Sequence, residues 1–331
     1  MNKQNRIIID TFGSDKGPSS VILGGLLLLK AHPDLFISFV GDETIINEEL
    51  NKNNILDLSH IHIIHTNVAV NNFDNPTAAI FQKSDASIFL AERTLAEDDE
   101  TIGLLTAGSS GSILMGSFRY LANETLTRPC MASILPSCKQ GEFVCLVDTG
   151  STIDCLPTQL HEFARLGRDL MKQLYKIESP KIGLLSNGAE SSKGNKLVKE
   201  TYGLLSTDPN LNFVGNIEGN NALSGDCDVL VADGFAGNMV LKVTEGTAAR
   251  MIKDMVMYSK AHNQPDIMPL VQHMLATYDI SSLGGAIVLG VRKPIIKCRG
   301  NSDEKAILNT GEILINIANN KSFFEGKVEN K

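Results

Sequence analysis

Short apolar runs recur along the chain, and most are followed by a glycine-, serine- or aspartate-rich turn and then by an amphipathic segment. Apolar runs bounded by turn residues are typical of buried strands, whereas apolar positions at helical spacing are typical of helices. The strands predicted in this way are Arg6–Ile9, Phe36–Val40, His62–His65, Ile102–Thr106, Val144–Val147, Ile182–Leu185, Asn212–Gly215, Val229–Ala232 and Pro294–Lys297. The predicted helices are Pro18–Ala31, Ala86–Leu95, Ser110–Leu121, Thr158–Tyr175, Lys196–Ser206, Met239–Ile252 and Ser302–Asn320.

The alternation of strands and helices from end to end predicts an α/β fold with a mainly parallel sheet and helices on both faces. We expect one α/β domain over residues 1–331. A segment at about 247–278 differs, because methionines at helical spacing flank Asn263-Gln-Pro265. This pattern predicts two helices joined by a turn, a helical hairpin that projects from the sheet or packs on a second subunit. A hairpin tip that touches a membrane or a carrier protein is the alternative.

Composition narrows the class of protein. Apolar residues make up 43% of the 331 residues and charged residues 21%, as in globular proteins. The net charge of −8 argues against a nucleic-acid binder with a basic surface. Six cysteines without a CxxC pair predict reduced thiols in the cytoplasm. The apolar runs Ile7–Ile9 and Val21–Leu29 are too short for a signal peptide and a membrane span, respectively.

Four loops carry the candidate chemistry, because each follows a predicted strand and is rich in glycine, hydroxyl or amide side chains. They are Asp10–Gly17, Thr106–Ser112, Ser186–Asn195 and Asp233–Asn238. Ligands of doubly wound sheets collect at the carboxyl ends of strands, and helix N-termini favour anions. A single such loop is ordinarily a capped helix start. Four together predict a crevice for phosphate or another oxyanion, with Lys193 as its ammonium group.

Two other kinds of site are weaker alternatives. Asp10, Asp15 and Asp233 could together bind Mg²⁺, but strand-end aspartates more often cap helices or turns. Cys298 lies beside Arg299 and could be an activated thiol, although a buried, inert cysteine is the more frequent role.

The same loops resemble the PlsX family of phosphate acyltransferases, and the resemblance runs from Ile8 to about Ile315. The family's Asp-Ala-Met-Gly-Gly-Asp resembles Asp10–Asp15, and its Ser-Ala-Gly-Asn-Thr-Gly-Ala resembles Thr106–Ser112. Further matching segments are Arg128–Cys130, Asp148–Thr152, Lys193–Asn195, Gly215–Glu218 and Asp233–Asn238.

The resemblance implies a three-layer α/β/α fold related to isocitrate dehydrogenase and phosphotransacetylase. It also implies a cytoplasmic homodimer, with peripheral membrane contact left open, and the formation of acyl phosphate from an acyl-acyl-carrier-protein thioester and inorganic phosphate, early in phospholipid synthesis. No cofactor, metal or nucleic acid is expected. The expected catalytic residues are Lys193, Asp233 and Arg299. The expected phosphate- or substrate-binding residues are Asp10, Gly13, Gly108, Ser109, Ser110, Gly111, Asn195, Asn216, Gly234, Gly237 and Asn238.

Several positions depart from the family pattern. Ser14 and Ser109 replace a glycine and an asparagine, and Arg299-Gly-Asn-Ser302 stands where the family has His-Gly-Ser-Ser. Arginine supplies charge and a bidentate fork but no base at neutral pH. Two alternatives therefore stay open: a relative that uses another thioester, such as coenzyme A or the glycine-reductase type, and a non-catalytic binding paralogue.

An acyl carrier protein is acidic, so an enzyme of net charge −8 needs local positive charge to bind it. The candidate basic residues are Arg250, Lys253, Lys260, Arg292, Lys293 and Lys297. Ordinary solvated surface charge is the alternative explanation.

Overall fold

The computed structural model describes residues 5–71, 73–122, 128–278 and 285–319. The chain divides into two compact units, the first formed by residues 1–131 and 284–331 and the second by residues 132–283. The strands are β1 Arg6–Asp10, β2 Phe36–Gly41, β3 Ile61–His65, β4 Thr101–Thr106, β5 Cys130–Pro136, β6 Phe143–Val147, β7 Lys181–Ser186, β8 Asn212–Glu218, β9 Val229–Val231, β10 Ala286–Leu289 and β11 Ile295–Lys297. The helices are α1 Pro18–Ala31, α2 Glu43–Lys52, α3 Pro76–Gln82, α4 Ser87–Glu97, α5 Ser110–Gly116, α6 Pro157–Tyr175, α7 Lys196–Thr207, α8 Gly234–Ala261, α9 Met268–Tyr278 and α10 Glu304–Ala318.

The strands of each unit are mainly parallel, as predicted. In the first unit their order is β3-β2-β1-β4-β11-β10, and β10 alone of these pairs antiparallel with its neighbour. In the second unit the order is β5-β6-β9-β7-β8, with β5 antiparallel to β6 and the other described pairs parallel. Helices connect most of the parallel strands, because a parallel pair requires a crossover.

Helices cover both faces of the sheet in the first unit. On one face α1 packs closely, since a Cβ atom at Gly25 would lie 2.8 Å from the Phe39 ring. On the other face Ile8 and Leu104 belong to one buried cluster with Phe89 of α4. Burial on both faces explains why β1 is a continuous apolar run.

The second unit has the same three-layer arrangement. A Cβ atom at Gly167 of α6 would lie 2.6 Å from Val229, so α6 lies directly on β9. Leu241 of α8 is buried with Leu146 and Leu230. Neighbouring residues of one strand point to opposite faces, so Val229 and Leu230 place α6 and α8 on opposite sides. The layered α/β/α prediction is therefore confirmed within each unit, whereas the prediction of a single domain stays a prediction.

The long helix α8 corrects the prediction for the region after β9. It begins at Gly234 rather than Met239 and continues to Ala261, so the first arm of the helical hairpin is the distal half of α8 and not a separate insertion. A turn that contains a 3-10 segment, Pro265–Ile267, leads into α9, which packs against α8. The predicted helix–turn–helix is present, but its first helix is the continuation of α8.

Other elements escaped prediction. β5 carries Cys-Met-Ala-Ser, which is poor in β-branched residues, and β10 has four residues. α2 is short and largely polar, so its apolar periodicity is weak. The last predicted helix ends at Ala318, and Asn320 lies outside the described residues. In the part of the chain that the structure describes, no helix combines the length and apolarity needed to cross a bilayer.

Replacement of Gly24 by alanine tests the packing of α1 on α10. A Cβ atom there would lie 2.4 Å from Cβ of Ile307 and 3.0 Å from the Glu304 carbonyl oxygen. We expect Gly24→Ala to lower the free energy of unfolding, measured by urea denaturation, by about 1–3 kcal/mol because overpacking outweighs the gain in helix propensity.

The matched control is Gly203→Ala in α7, where a Cβ atom would meet nothing within 4 Å. It should leave stability unchanged or raise it by about 0.5–1 kcal/mol. A Gly24→Ala protein as stable as the Gly203→Ala protein would contradict the packing described here.

Candidate functional site

The first unit brings three loops together at one edge of its sheet. β1, β4 and β11 are neighbours and run parallel, so their carboxyl ends lie side by side. The loops that follow them are residues 10–17, 106–112 and 298–303, which we name the first loop cluster. Two of the four predicted loops, residues 10–17 and 106–112, belong to this cluster. The third loop of the cluster contains Arg299 and was not among the four.

Asp10 joins the first two of these loops. The Thr106 hydroxyl donates a 2.8 Å hydrogen bond to Oδ2 of Asp10, and the Gly108 amide donates to the same hydroxyl oxygen at 2.9 Å. The Phe12 amide donates to Oδ1 at 3.1 Å. Gly13 has a φ of 87°, and a Cβ atom there would lie 2.6 Å from Cα of Gly108. Asp10 therefore positions the loops, and Gly13 allows their close approach.

Burial raises the pKa of Asp10 to about 6, although hydrogen bonds from Ser87, Thr106 and Phe12 act in the opposite direction. Asp10 is 1% exposed. Its carboxyl group therefore changes protonation near pH 6 while it holds the loops, a property that the sequence pattern did not indicate.

A second buried carboxyl group, Glu92 of α4, was missed at the sequence level. Burial raises its pKa well above the ordinary value, and the charge of Asp10 adds to this effect. The Ser117 hydroxyl donates to Oε1 at 2.9 Å, whereas Oε2 has no hydrogen-bond partner among the described residues. The available signal was weak, because Glu92 directly follows the apolar run Ile88–Ala91 but precedes the charged Arg93.

The third loop contacts the first, and each of the two contacting segments contains a departure from the resembled family. The Asp15 amide donates to the Gly300 carbonyl at 2.7 Å, and the Ser14 hydroxyl donates to the same oxygen at 3.3 Å. Arg299 precedes this glycine and is half-buried. The replacement of glycine by Ser14 and the altered Arg299–Ser302 segment thus meet in the structure.

Ser109, Ser110 and Gly111 form the start of α5. The Ser109 hydroxyl accepts a hydrogen bond from the Ser112 amide at 3.3 Å, which caps the helix. A Cβ atom at Gly111 would lie 2.6 Å from Pro76, so this glycine permits close packing on α3. The loop before α5 is therefore a capped helix start, which is the ordinary role of a single loop of this composition.

The second unit also brings three loops together. β6, β9 and β7 are neighbours and run parallel, so their carboxyl ends share one edge. The loops that follow are residues 148–152, 233–238 and 186–195, which we name the second loop cluster. It contains the other two predicted loops, with Lys193, Asn195 and Asp233.

Asp148 is the organising residue of the second loop cluster, and it was not among the predicted site residues. Its side chain is fully buried, and the peptide bond between Val147 and Asp148 is cis. The carboxylate accepts hydrogen bonds from the amides of Gly150 at 3.1 Å, Ser151 at 3.0 Å and Thr152 at 2.7 Å. The sequence signal was the matching segment Asp148–Thr152.

The N-terminus of α8 packs directly on this loop. The Gly234 amide donates to the Thr152 carbonyl at 2.8 Å, and a Cβ atom at Gly237 would overlap the Asp148 carbonyl oxygen. Asp233 caps the helix, accepting from the Ala236 amide at 2.8 Å. The anion prediction relied on the amides in the first turn of α8, and most of these donate to acceptors within the chain. Asp233 caps the helix, as strand-end aspartates often do.

The loop of residues 186–195 presents Lys193 to solvent. Lys193 makes no ion pair with a carboxylate within 4.0 Å among the described residues, and its backbone amide donates to the Glu190 carbonyl. A Cβ atom at Gly188 would lie 2.7 Å from Cγ of Lys193, so the lysine stem crosses this glycine. Asn195 caps α7 by accepting from the Val198 amide at 2.9 Å.

Asn216 lies beneath this loop and is 6% exposed. Its Nδ2 donates to the Glu190 carbonyl at 2.8 Å, whereas its Oδ1 is buried without a partner among the described residues. The hydroxyl of Ser186, the first residue of the same loop, is also buried without a partner among the described residues. Buried polar atoms ordinarily have partners, so these two oxygens are suited to a bound water or ligand group.

The weaker alternatives find no support in the described part of the chain. No group of three histidine, cysteine or carboxylate side chains there could hold a metal ion. Cys298 is 1% exposed, and burial raises the pKa of its thiol to about 11. The thiol stays protonated at neutral pH, as expected for an inert cysteine.

Comparison with known proteins adds to this geometry. Residues 5–322 match the protein family described as "Fatty acid synthesis protein". A phosphate acyltransferase from Halothermothrix orenii is 35% identical over 311 residues, which cover 92% of each chain. One from Ligilactobacillus salivarius is 36% identical over 317 residues, again covering 92% of each chain.

Solved structures show the same fold at low sequence identity. A phosphotransacetylase from Streptococcus pyogenes has a TM-score of 0.65 at 16% identity, covering 95% of this chain and 94% of that chain. The EutD phosphotransacetylase from Staphylococcus aureus has a TM-score of 0.62 at 16% identity, covering 96% and 95%. The predicted phosphotransacetylase-like fold is therefore confirmed.

Asp10 should make stability depend on pH. Its folded-state pKa of about 6 lies above the ordinary 3.8, so between these values the folded chain holds a proton that the unfolded chain has lost. Raising the pH through this window should lower the free energy of unfolding by about 3 kcal/mol, and Asp10→Asn should lack this loss. The exposed Asp34→Asn serves as the control; parallel pH profiles of the wild type and Asp10→Asn in urea denaturation would refute the assignment.

Asp148→Asn tests the second loop cluster. The amide keeps the size of the side chain but turns one acceptor into a donor that faces loop amides. We expect the free energy of unfolding to fall by about 2–3 kcal/mol, since hydrogen bonds to a buried charge are lost. Asp154→Asn, an exposed change nearby in the chain, should stay within about 0.5 kcal/mol of the wild type. Equal unfolding midpoints in urea for the two variants would count against the role given to Asp148.

Proposed function

Because the chain belongs to the fatty acid synthesis protein family, the PlsX family of phosphate acyltransferases, we propose that it transfers an acyl group from an acyl-acyl-carrier-protein thioester to inorganic phosphate. The product is an acyl phosphate, and the reaction belongs early in phospholipid synthesis. No cofactor is needed, since phosphate is itself a nucleophile.

The observation that carries this proposal is the second loop cluster. Three loops at neighbouring carboxyl ends surround positions suited to an anion, and one of them carries Lys193 without a carboxylate partner among the described residues. The buried, unsatisfied oxygen of Asn216 lies beneath that same loop. An exposed ammonium group that makes no salt bridge with a described residue is suited to an anionic substrate.

The chemistry requires positioning and charge stabilisation. A phosphate oxygen attacks the thioester carbonyl carbon, and a tetrahedral oxyanion forms. The carbon–sulfur bond then breaks, and the carrier thiolate leaves and takes up a proton. We assign Lys193 to phosphate or to the developing oxyanion, because preformed positive charge there lowers the barrier.

The remaining predicted residues receive roles that follow their contacts. Asp233 orients the start of α8 and, in the proposal, handles a proton. Gly234 and Gly237 allow α8 to approach the Asp148 loop, and Asn238 offers an amide beside Gly150. Supporting positions in the second loop cluster are Asn195 and Asn216.

The predicted residues of the first loop cluster receive roles of their own. We assign Arg299 to a phosphate contact, because guanidinium binds phosphate through a bidentate fork. Asp10, Gly13 and Gly108 hold the loops in position through the contacts described above. Ser109, Ser110 and Gly111 present hydroxyl and amide groups at the start of α5 for substrate.

The acyl donor is proposed to dock on basic residues of α8. Arg250 is already paired with Asp254 at 2.8 Å, whereas Lys253 and Lys260 are exposed. Arg292 and Lys293 donate to backbone carbonyls of the first unit, which leaves α8 better suited to an acidic carrier protein. A homodimer in the cytoplasm and peripheral membrane contact remain part of the proposal, supported by the exposed apolar side chains Met251 and Met257.

A relative specialised for another thioester is the second candidate, and the contact between Ser14 and Gly300 favours it. Both segments at that contact depart from the family pattern, so the change affects a connected part of the first loop cluster. Acyl-carrier-protein, coenzyme A and free thioester donors should therefore be compared in one assay of phosphate-dependent thiol release.

Lys193→Ala tests the proposed role of the lysine. We expect phosphate-dependent acyl phosphate formation, measured as the hydroxamate trapped by hydroxylamine, to fall about a hundredfold to a thousandfold because a stabilising charge is lost. Lys199→Ala, an exposed change on α7, should retain wild-type activity. Unchanged activity in Lys193→Ala would remove the lysine from the mechanism, and a wild type inactive with every donor would favour the binding paralogue.

A further inference from the structure

A groove of about 860 Å³ opens in the first unit along α1. Its apolar lining consists mainly of Leu23, Leu26, Leu27, Leu29, Pro33 and Ile55. This volume lies in the range of small-molecule sites, which are mostly apolar with a few polar groups. The groove is separate from the loop clusters and has no part in the chemistry described so far.

The groove exists because α1 is apolar on more than one side. Ile22, Gly25 and Leu28 face the sheet and are buried, as a helix of a layered fold requires. Leu23, Leu26 and Leu27 face elsewhere, and each is only half-buried. A helix that is apolar all round is ordinarily covered on all sides, so these leucines form a surface suited to an apolar ligand.

One end of the groove lies close to the first loop cluster. α1 starts at Pro18, directly after the loop of residues 10–17, and α10 starts just after the loop that contains Arg299. Glu304 and Lys305, in the first turn of α10, line the groove together with Leu23. From Leu23 to Lys30 the helix rises about 10 Å, so the groove leads away from the loops.

We propose that this groove holds the hydrocarbon chain of the acyl group. The inference rests on the proposed function, which requires a place for that chain. The wall formed by the α1 leucines and Ile55 is apolar, and the polar members of the lining are Lys30, Asn53, Asp57, Ser59, His60, Glu304 and Lys305. Lys305 at the near end supplies positive charge for the phosphate end of the product, and it is exposed.

The chain-length dependence of the reaction tests this assignment. With thioesters from butyryl to palmitoyl, wild-type kcat/KM should rise by about fourfold for each methylene group that the groove buries. Leu26→Trp should fill the groove, remove most of the long-chain advantage and leave butyryl transfer near the wild-type level. Leu204→Trp, on an exposed side chain of α7, is the matched control and should keep the wild-type dependence.

A direct binding measurement keeps the inference separate from the proposed activity. The fluorescence of cis-parinaric acid, an eighteen-carbon fatty acid, should increase with the wild type and with Leu204→Trp but at least tenfold less with Leu26→Trp. If Leu26→Trp does not fold by circular dichroism, Leu23→Gln takes its place, because a polar side chain in the groove should weaken binding similarly.

Equal chain-length preference and equal fatty-acid binding in the groove variant and the control would overturn the inference while acyl transfer stands. A wild type that forms no acyl phosphate from any donor would overturn the proposed function. Fatty-acid binding alone would then decide whether the groove holds a hydrocarbon chain. Loss of self-association in Leu26→Trp, seen by sedimentation, would show that a second copy covers the groove and would also overturn the inference.

Discussion

A buried carboxylate that must be hydrogen-bonded organises each of the two loop clusters. Removing a carboxylate from water is costly unless donors surround it, so Asp10 and Asp148 recruit hydroxyl and amide groups from the loops at their strand ends. Asp148 draws in three successive amides, and Asp10 draws in Thr106 and the Phe12 amide. The shape of the loops follows from these bonds.

Hydrogen bonding to the buried carboxylates leaves fewer amides of the glycine-rich turns available to bind an anion. The first-turn amides of α8 are largely bonded within the chain, and the glycines there serve to bring α8 onto the Asp148 loop. Recognition of phosphate then depends more on side chains than on the backbone. The cations of the first loop cluster are Lys16 and Arg299, and that of the second is Lys193. The proposed mechanism depends on Lys193 and Arg299.

Much of the fold could be predicted from the sequence, because the strands buried on both faces, such as β1 and β9, are unbroken apolar runs. The antiparallel strands β5 and β10 could not, since β5 contains few β-branched residues and β10 is short. The start of α8 was missed because Gly234 and Gly237 are poor helix formers that are kept for close packing. At these two positions the close packing of α8 on the Asp148 loop outweighs the low helix propensity of glycine.

The candidate site could be predicted only in part. The loops after β1, β4, β7 and β9 were found, because their composition changes sharply at the strand ends. The bonding of Asp148 was missed although its partners, Gly150 to Thr152, are close in the chain. The high pKa of Asp10 was missed because it depends on burial and on surroundings, such as Thr106, that are distant in the chain. Glu92 was missed for the same reason.

Acyl transfer to phosphate is tested most directly by ³¹P NMR of the wild-type protein with inorganic phosphate and an acyl-acyl-carrier-protein. We expect a new acyl phosphate resonance that grows with time and requires the protein, the thioester and phosphate together. A spectrum that shows inorganic phosphate alone, while the carrier thioester stays intact and the protein is folded, would contradict acyl transfer to phosphate.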